Sequence, residues 1–214
     1  KEIINRGGKK FFPREVEEHE FIPRLWATRR VGYLLDEIRL HGENAELKDE
    51  VTELARKYGI VTPYTAYLIV EDEDRRRVPL AMQSLPQLRE DQFARREAAE
   101  NWRYFRLDRA GEKAVAGARY GDALKQANAP SVAASGGSIE ANRALGVTTL
   151  PAPMATPSAD SKVRLAQYSQ QGQFIAGKNF FQNISNQWVD AAAQKFQNAK
   201  KQRIQFNSTE YFAF

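Results

Sequence analysis

Helical periodicity recurs twice in the first third of the chain, each time closed by a glycine, and this most constrains the fold. Over residues 23–40, Leu25, Val31, Leu34, Leu35 and Ile38 recur at helical spacing and line one face. Trp26 and Tyr33 widen that face, while Arg29, Arg30, Asp36, Glu37 and Arg39 occupy the remainder. Pro23 sits near the helix start, where the N–H it lacks would be unpaired anyway. Gly42 suits the left-handed position after the last turn. A second helix begins at Asn44, a side chain suited to capping, with Glu46 in the first turn to complement the helix dipole. Leu47, Val51, Leu54, Ala55 and Tyr58 form its stripe, and Gly59 stops it. The link between the helices is so short that an antiparallel pair is expected. Residues 60–70 then read as an interior strand. Tyr64, Ala66, Leu68 and Val70 fall on one face and Thr65, Tyr67 and Ile69 on the other, with Pro63 fixing the strand's start.

The remaining segments are less regular. Residues 1–20 read as a hairpin in which Ile3-Ile4 and Phe11-Phe12 flank Arg6-Gly7-Gly8, with Pro13 closing the second strand. Residues 71–77 read as a charged loop. Residues 86–127 are helical in pattern, with Phe93, Trp102, Phe105 and Leu107 as apolar anchors, then Val115, Tyr120 and Leu124, weakened by Gly117 and Gly121. So charged a segment is expected to lie across the surface of another body. Residues 128–162 turn to Pro, Ala, Ser, Gly and Thr, the composition of a linker.

Residues 163–214 are β in character. Phe174-Ile175 and Phe180-Phe181 bracket Ala176-Gly177-Lys178-Asn179 as a hairpin, and residues 183–186 turn into Gln187-Trp188-Val189. Residues 191–200 suit either a helical turn or a loop. Arg203 to Asn207 and Glu210 to Phe214 read as two further strands. The expected fold is α+β in four segments. Residues 1–70 form a helical hairpin on a sheet built from 1–13 and 60–70. Residues 71–127 are a charged helical segment, 128–162 a flexible linker, and 163–214 a small antiparallel β-rich part that stands alone or joins the first sheet.

Composition narrows the function classes. The chain has 214 residues and no Cys, so disulfides, thiolate catalysis and Cys-ligated zinc are excluded. Its formal charge of +5 is interleaved: Arg75-Arg76-Arg77 directly follows Glu71-Asp72-Glu73-Asp74. A nucleic-acid surface needs a stripe of one sign, so no nucleic-acid partner is expected. No apolar run approaches the roughly eighteen residues of a membrane span. His19 and His41 are the only histidines, far apart and without a partner cluster. A hydrolase would need a Ser or Thr beside one of them, and the expectation is a protein that is not an enzyme. Asp36-Glu37 and Asp49-Glu50 diverge around their helices as solvated faces. The final Phe of an aromatic strand resembles the close of an outer-membrane barrel, but serial alternating segments are missing, and a core strand is the simpler reading. The first five residues lack an initiator Met and signal-peptide character, so the chain reads as an internal piece of a longer one.

One ordered set of residues carries a resemblance. Leu25-Trp26-Ala27 lies in the first helix, Lys57-Tyr58-Gly59 ends the second, and Val61-Thr62-Pro63-Tyr64-Thr65 follows at once. The block over residues 21–65 resembles the segment after the von Willebrand type A (VWA) domain in VIT/VWA proteins, relatives of the inter-alpha-trypsin inhibitor heavy chains. The terminal Tyr211-Phe212-Ala213-Phe214 is similar, more loosely, to the close of bacterial members. The resemblance implies a region C-terminal to a VIT and a VWA domain in a protein exported to the periplasm or cell surface. Its partners would be those two domains and a further protein. In that family a divalent metal is held by an Asp-X-Ser-X-Ser motif of the VWA domain; this chain has none, so no cofactor is expected here. Leu25, Trp26, Tyr58, Gly59, Thr62, Pro63, Tyr64 and Thr65 are the candidate structural motif, with Trp26 read as core. The expected function is a non-enzymatic scaffold or interaction module supporting the VWA domain. The alternative is an independent regulatory module that binds a peptide or protein by strand addition at a sheet edge near Pro13 or at the terminal strand.

Overall fold

The computed structural model of the chain describes residues 21–128, 161–168, 172–196, 202–205 and 207–212. The hairpin expected over residues 1–20 and nearly all of the linker lie outside the described residues. So does the extreme C-terminus.

The first two helices form as their sequence dictates. Helix α1 spans Phe21–His41 and buries Ala27, Val31, Leu34, Leu35 and Ile38, with Arg39 and His41 in its last turn against the negative dipole end. Gly42 follows at φ +98°, its N–H donating to the Ile38 carbonyl at 3.0 Å. Helix α2, Ala45–Tyr58, starts from Asn44, whose Oδ1 accepts from the Leu47 N–H at 2.8 Å. It ends at Gly59 (φ +67°), and the Ile60 N–H reaches back to the Ala55 carbonyl at 2.9 Å. Helices α1 and α2 pack against each other.

Residues 60–70 are not a strand. Helix α3 spans Pro63–Arg75, and Thr62 is its N-cap. The Thr62 hydroxyl oxygen accepts from the Tyr64 and Thr65 N–H groups at 3.2 and 3.0 Å. The Thr65 hydroxyl oxygen accepts from the Thr62 N–H at 2.8 Å and donates to the Ile60 carbonyl at 2.9 Å. This is a capping box with Thr in the place of Glu, and Pro63 takes the first helical position, where its fixed φ is an advantage. The alternation that suggests a strand arises because α3 is buried on nearly every side, and a helix apolar all round loses its 3.6-residue signature. The acidic and basic run over residues 71–75 is the last turns of this helix rather than a loop.

A short 3₁₀ turn (Leu80–Met82) and α4 (Pro86–Glu90) lead to α5 (Gln92–Leu107). Asp91 caps α5, accepting from the Phe93 and Ala94 N–H groups at 3.1 and 3.0 Å. Helix α6, Glu112–Lys125, follows Gly111. Far from lying on another body, α5 is central, packed by α1, α3, α6 and α7 (Ser161–Tyr168). Of its expected anchors, Trp102 and Phe105 are buried, whereas Phe93 and Leu107 face solvent, as does Val115 of α6. The glycines of α6 are not defects. A Cβ on Gly32 of α1 would sit 2.6 Å from Leu124 Cβ and 2.9 Å from the Gly121 carbonyl oxygen, so the α1–α6 approach requires glycine there. A Cβ on Gly117 would meet the Phe105 ring at 3.0 Å.

Among the described residues the sheet lies in the C-terminal part alone and has the order β1-β2-β3, antiparallel throughout: Gln173–Ile175, Lys178–Gln182 and Trp188–Asp190. Ala176 and Gly177 both have positive φ (49° and 74°), as a type I′ hairpin turn requires. Residues 163–168 are helix α7 rather than β, residues 191–196 form a 3₁₀ helix, and Thr209–Phe212 is a short helix, α8, where a closing strand is expected. Residues 203–205 pair with no strand among the described residues. The fold is α+β, mostly helical, with one small antiparallel sheet.

The core has two clusters, and α3 lies between them. Tyr64 and Leu68 join Ala27, Val31, Leu34, Leu35, Ile38, Trp102, Phe105, Tyr120 and Leu124. Ala66, Ile69 and Val70 join Leu85, Leu88, Ala94 and Ala98, together with Leu165, Phe181 and Ala191 from the C-terminal part. The hairpin and α7 are therefore packed into the helical core.

Candidate functional site

The motif residues meet at a joint between α1, the α2–α3 turn and the hairpin. Gly59 turns the chain between α2 and α3, and Asn179 of β2 lies directly against it: a Cβ on Gly59 would sit 2.5 Å from Asn179 Oδ1. Asn179 is buried, and its Nδ2 donates to the Arg56 carbonyl at 2.6 Å. One residue earlier, the Tyr58 ring faces Phe174 of β1, centroids 6.4 Å apart. Arg24 of α1 closes the joint, with Nε donating to the Tyr58 carbonyl at 3.1 Å and its guanidinium 4.9 Å from the Phe174 ring centre. Burial holds Arg24 below the usual arginine pKa. Tyr64, a turn further on, lies between Phe105 (4.4 Å) and Tyr120 (5.7 Å), and burial pushes both tyrosine hydroxyls well above their usual pKa. These hydroxyls stay neutral and serve packing.

Beside the joint, two polar clusters bind distant segments. Arg56 is ion-paired with Asp72, which also receives Arg75 and Arg76. Burial raises the Asp72 carboxyl, but Arg75, Arg56 and Arg76 outweigh it and hold the group below the usual carboxylate range. Gln194, in the final 3₁₀ helix, has its amide nitrogen within 2.8 Å of Glu73 Oε1, 2.7 Å of the Met82 carbonyl and 3.0 Å of the Ser84 hydroxyl, and accepts from Arg76 at 2.8 Å. Glu73 is 2% exposed and also accepts from the Ser84 N–H at 2.9 Å. Asp91 binds α7, accepting from Arg164 Nε at 2.5 Å and from the Tyr168 hydroxyl at 3.2 Å.

The structure thus brings Tyr58, Gly59, Thr62, Pro63, Tyr64 and Thr65 together in buried or half-buried positions. Leu25 is half-buried one turn into α1. Trp26 is not core. It stands 54% exposed in an outward row with Ile22 (50%), Tyr33 (50%) and Leu40 (51%). The helical wheel explains the correction. Ala27, Val31, Leu34, Leu35 and Ile38 centre the buried face, and Trp26 and Tyr33 fall on the far side of it rather than at its margin. Arg24, Phe174, Asn179 and Gln194 are not among the sequence candidates. No local spacing marks them, because their partners lie as far as 123 residues away.

Two clefts flank the helices. One of about 400 Å³ is lined by Tyr67, Val70, Asp74, Leu88 and Arg95; the other, about 520 Å³, by Glu43, Lys48, Glu71, Arg75 and Arg106. Ion pairs brace the second, Lys48 to Glu43 at 3.3 Å and to Glu71 at 2.6 Å, and Arg106 to Glu43 at 2.6 Å. His41 Nδ1 lies 3.0 Å from Glu37 on the open surface. Among the described residues no group of three or more His, Asp or Glu is placed to hold a metal ion, and no helix is long and apolar enough to cross a membrane. Compared with protein-family models, curated proteins and solved structures, the chain matches none.

Proposed function

We propose that this chain is a non-enzymatic scaffold and interaction module supporting the VWA domain of an exported bacterial VIT/VWA protein, in adhesion or protein–protein binding at the cell envelope. The reading starts from the ordered residues Leu25-Trp26-Ala27, Lys57-Tyr58-Gly59 and Val61-Thr62-Pro63-Tyr64-Thr65. One observation supports it: the motif residues from Tyr58 to Thr65 act as turn, cap and packing at a joint that binds the helices to the hairpin. Residues used this way position segments, and a rigid joint suits a support that fixes a neighbouring domain. The partners are then the protein's own VIT and VWA domains and a further protein, and a divalent metal belongs to the VWA domain. The test is the sequence upstream of Lys1, where a VWA domain with Asp-X-Ser-X-Ser is expected, followed by Gly59→Val in the whole protein. That substitution is expected to weaken partner binding while leaving the metal affinity of the VWA domain unchanged. No VWA domain upstream, or unaltered binding in the variant, refutes the reading.

Strand addition is the second reading. Among the described residues β1 and β3 pair only with β2, and Ile175 and Trp188 are about half exposed on these outer strands. A peptide that slows amide exchange along β3 alone supports it; protection spread over the helices counts against it.

A further inference from the structure

We propose that the outer face of α1 docks on the same face of a second copy of this chain, the two helices running antiparallel about a twofold axis at Tyr33. This interface stands independently of the VIT/VWA reading.

Ile22, Trp26, Tyr33 and Leu40 are spaced by four, seven and seven residues. At 3.6 residues per turn they keep within about 40° of one line along the helix. Each leaves about half of its surface in water. Scattered exposed apolar residues need no account, but an aligned row holding two aromatics is the kind of patch that marks an interface. The row offers on the order of 400 Å² per copy. With the stems of the charged residues beside it, two copies reach the ~1,000 Å² of a specific contact.

The charges beside the row select the occupant. Arg29 and Arg30 lie four and three residues before Tyr33, and Asp36 and Glu37 lie three and four residues after it. At 100° per residue, Arg30 and Glu37 flank the row on one side, and Arg29 and Asp36 flank it on the other. Contacts agree with that assignment. Arg30 pairs with Glu50 of α2, whereas Arg29 donates to the Ala127 carbonyl just after α6, and Asp36 pairs with Lys125 of α6. A twofold axis through Tyr33, perpendicular to α1, keeps each flank on its own side and reverses its direction. Arg30 then faces Glu37 of the second copy, and Arg29 faces Asp36 of the second copy, each within about one 1.5 Å helical rise of the same level. Trp26 faces Leu40 of the second copy, since they lie seven residues on either side of Tyr33, and Tyr33 faces itself. Every pair except Tyr33 with itself, which lies on the axis, occurs twice, as in any isologous contact. Parallel docking would instead set Arg30 against Arg29 of the second copy and Glu37 against Asp36 of the second copy, a repulsive arrangement. Arg30 engages Glu50 through Nε and Nη2, so its Nη1 serves the second pair.

The test uses the 214-residue chain. Sedimentation from about 1 to 200 µM is expected to show a monomer–dimer equilibrium in the micromolar range. Tyr33→Glu, which sets two carboxylates against each other on the axis, is expected to weaken it at least about tenfold with far-UV helicity unchanged. Because the chain has no Cys, single-site cross-linking reads the register. Under mild oxidation Tyr33→Cys is expected to link to itself. Trp26→Cys and Leu40→Cys are expected to link only when mixed. Three outcomes overturn the proposal. A chain monomeric at 200 µM whose Tyr33→Cys thiol reacts freely with a maleimide has a bare face. A monomer whose thiol is protected has the face covered within its own chain. Self-linking of Trp26→Cys means parallel docking.

Discussion

Gly59→Ala tests the joint most directly, because the structure separates its two costs. Gly59 has φ +67°, and an L side chain there costs about 1–2 kcal/mol. The added Cβ would also lie 2.5 Å from Asn179 Oδ1 and 3.0 Å from its Cγ. Asn179 cannot swing away freely, since its Nδ2 holds the Arg56 carbonyl in a buried site. Releasing that carbonyl unpaired costs about 1–3 kcal/mol. The sum for Gly59→Ala is therefore about 2–5 kcal/mol. Gly42→Ala is the reference: its φ is +98° and nothing lies within 4 Å of the added Cβ, so only the backbone cost of about 1–2 kcal/mol applies. In an Asn179→Ala background the clash is gone, and Gly59→Ala should fall back to that same value. Urea unfolding of the wild type, both single variants, the double variant and Gly42→Ala supplies the cycle, read as midpoint shifts at constant slope. Equal costs of Gly59→Ala in both backgrounds, or a cost no larger than that of Gly42→Ala, would refute the claim that Asn179 is locked against this turn.

Other variants probe separate parts of the fold. Gly32→Ala forces α1 off the α6 backbone and is expected to cost at least about 1–3 kcal/mol, measured by the same unfolding titration. Thr62→Ala removes the α3 cap and should cost about 1–2 kcal/mol, with Thr62→Ser recovering most of it. Gln194→Ala strips partners from Glu73 and Arg76 and is expected to cost roughly 1–3 kcal/mol; an unchanged unfolding midpoint would show the cluster to be dispensable. The Asp91 carboxyl is lowered chiefly by Arg164, and Asp72 is lowered by its arginines against the effect of burial. A depressed folded pKa stabilises above the unfolded value near 4 and loses that stability as pH falls through the folded value. Stability should therefore hold from pH 7 to about 5 and drop below about 4, with Asp91→Asn less stable at neutral pH and flatter in acid.

Much of the local structure was legible. Asn44, Gly42 and Gly59 mark the ends of α1 and α2 because capping and positive φ are properties of single residues. The hairpin at Ala176-Gly177 and the turn into Trp188 follow from equally local chemistry. The opening of α3 reads as a strand in sequence, although Thr62-Pro63-Tyr64-Thr65 contains every element of a helix start. Apolar residues on all sides hid the 3.6-residue period, and they are there because α3 is buried between two clusters. Gly117 reads as a weak point in isolation and Gly32 carries no mark of its role, and only the Phe105 ring and the crossing of α1 with α6 show what they accommodate.

The sequence by itself determined the end of α1 and both ends of α2, where the hairpin turns, and which chemistries the absence of Cys removes. Tertiary structure alone decided that α5 is central, that the hairpin and the last 3₁₀ helix pack into the helical core, and that Asn179 closes the turn at Gly59. Caps and turns are set by residues a few positions apart, whereas burial and close approach depend on partners up to 123 residues away, whose pairing leaves no period in the chain.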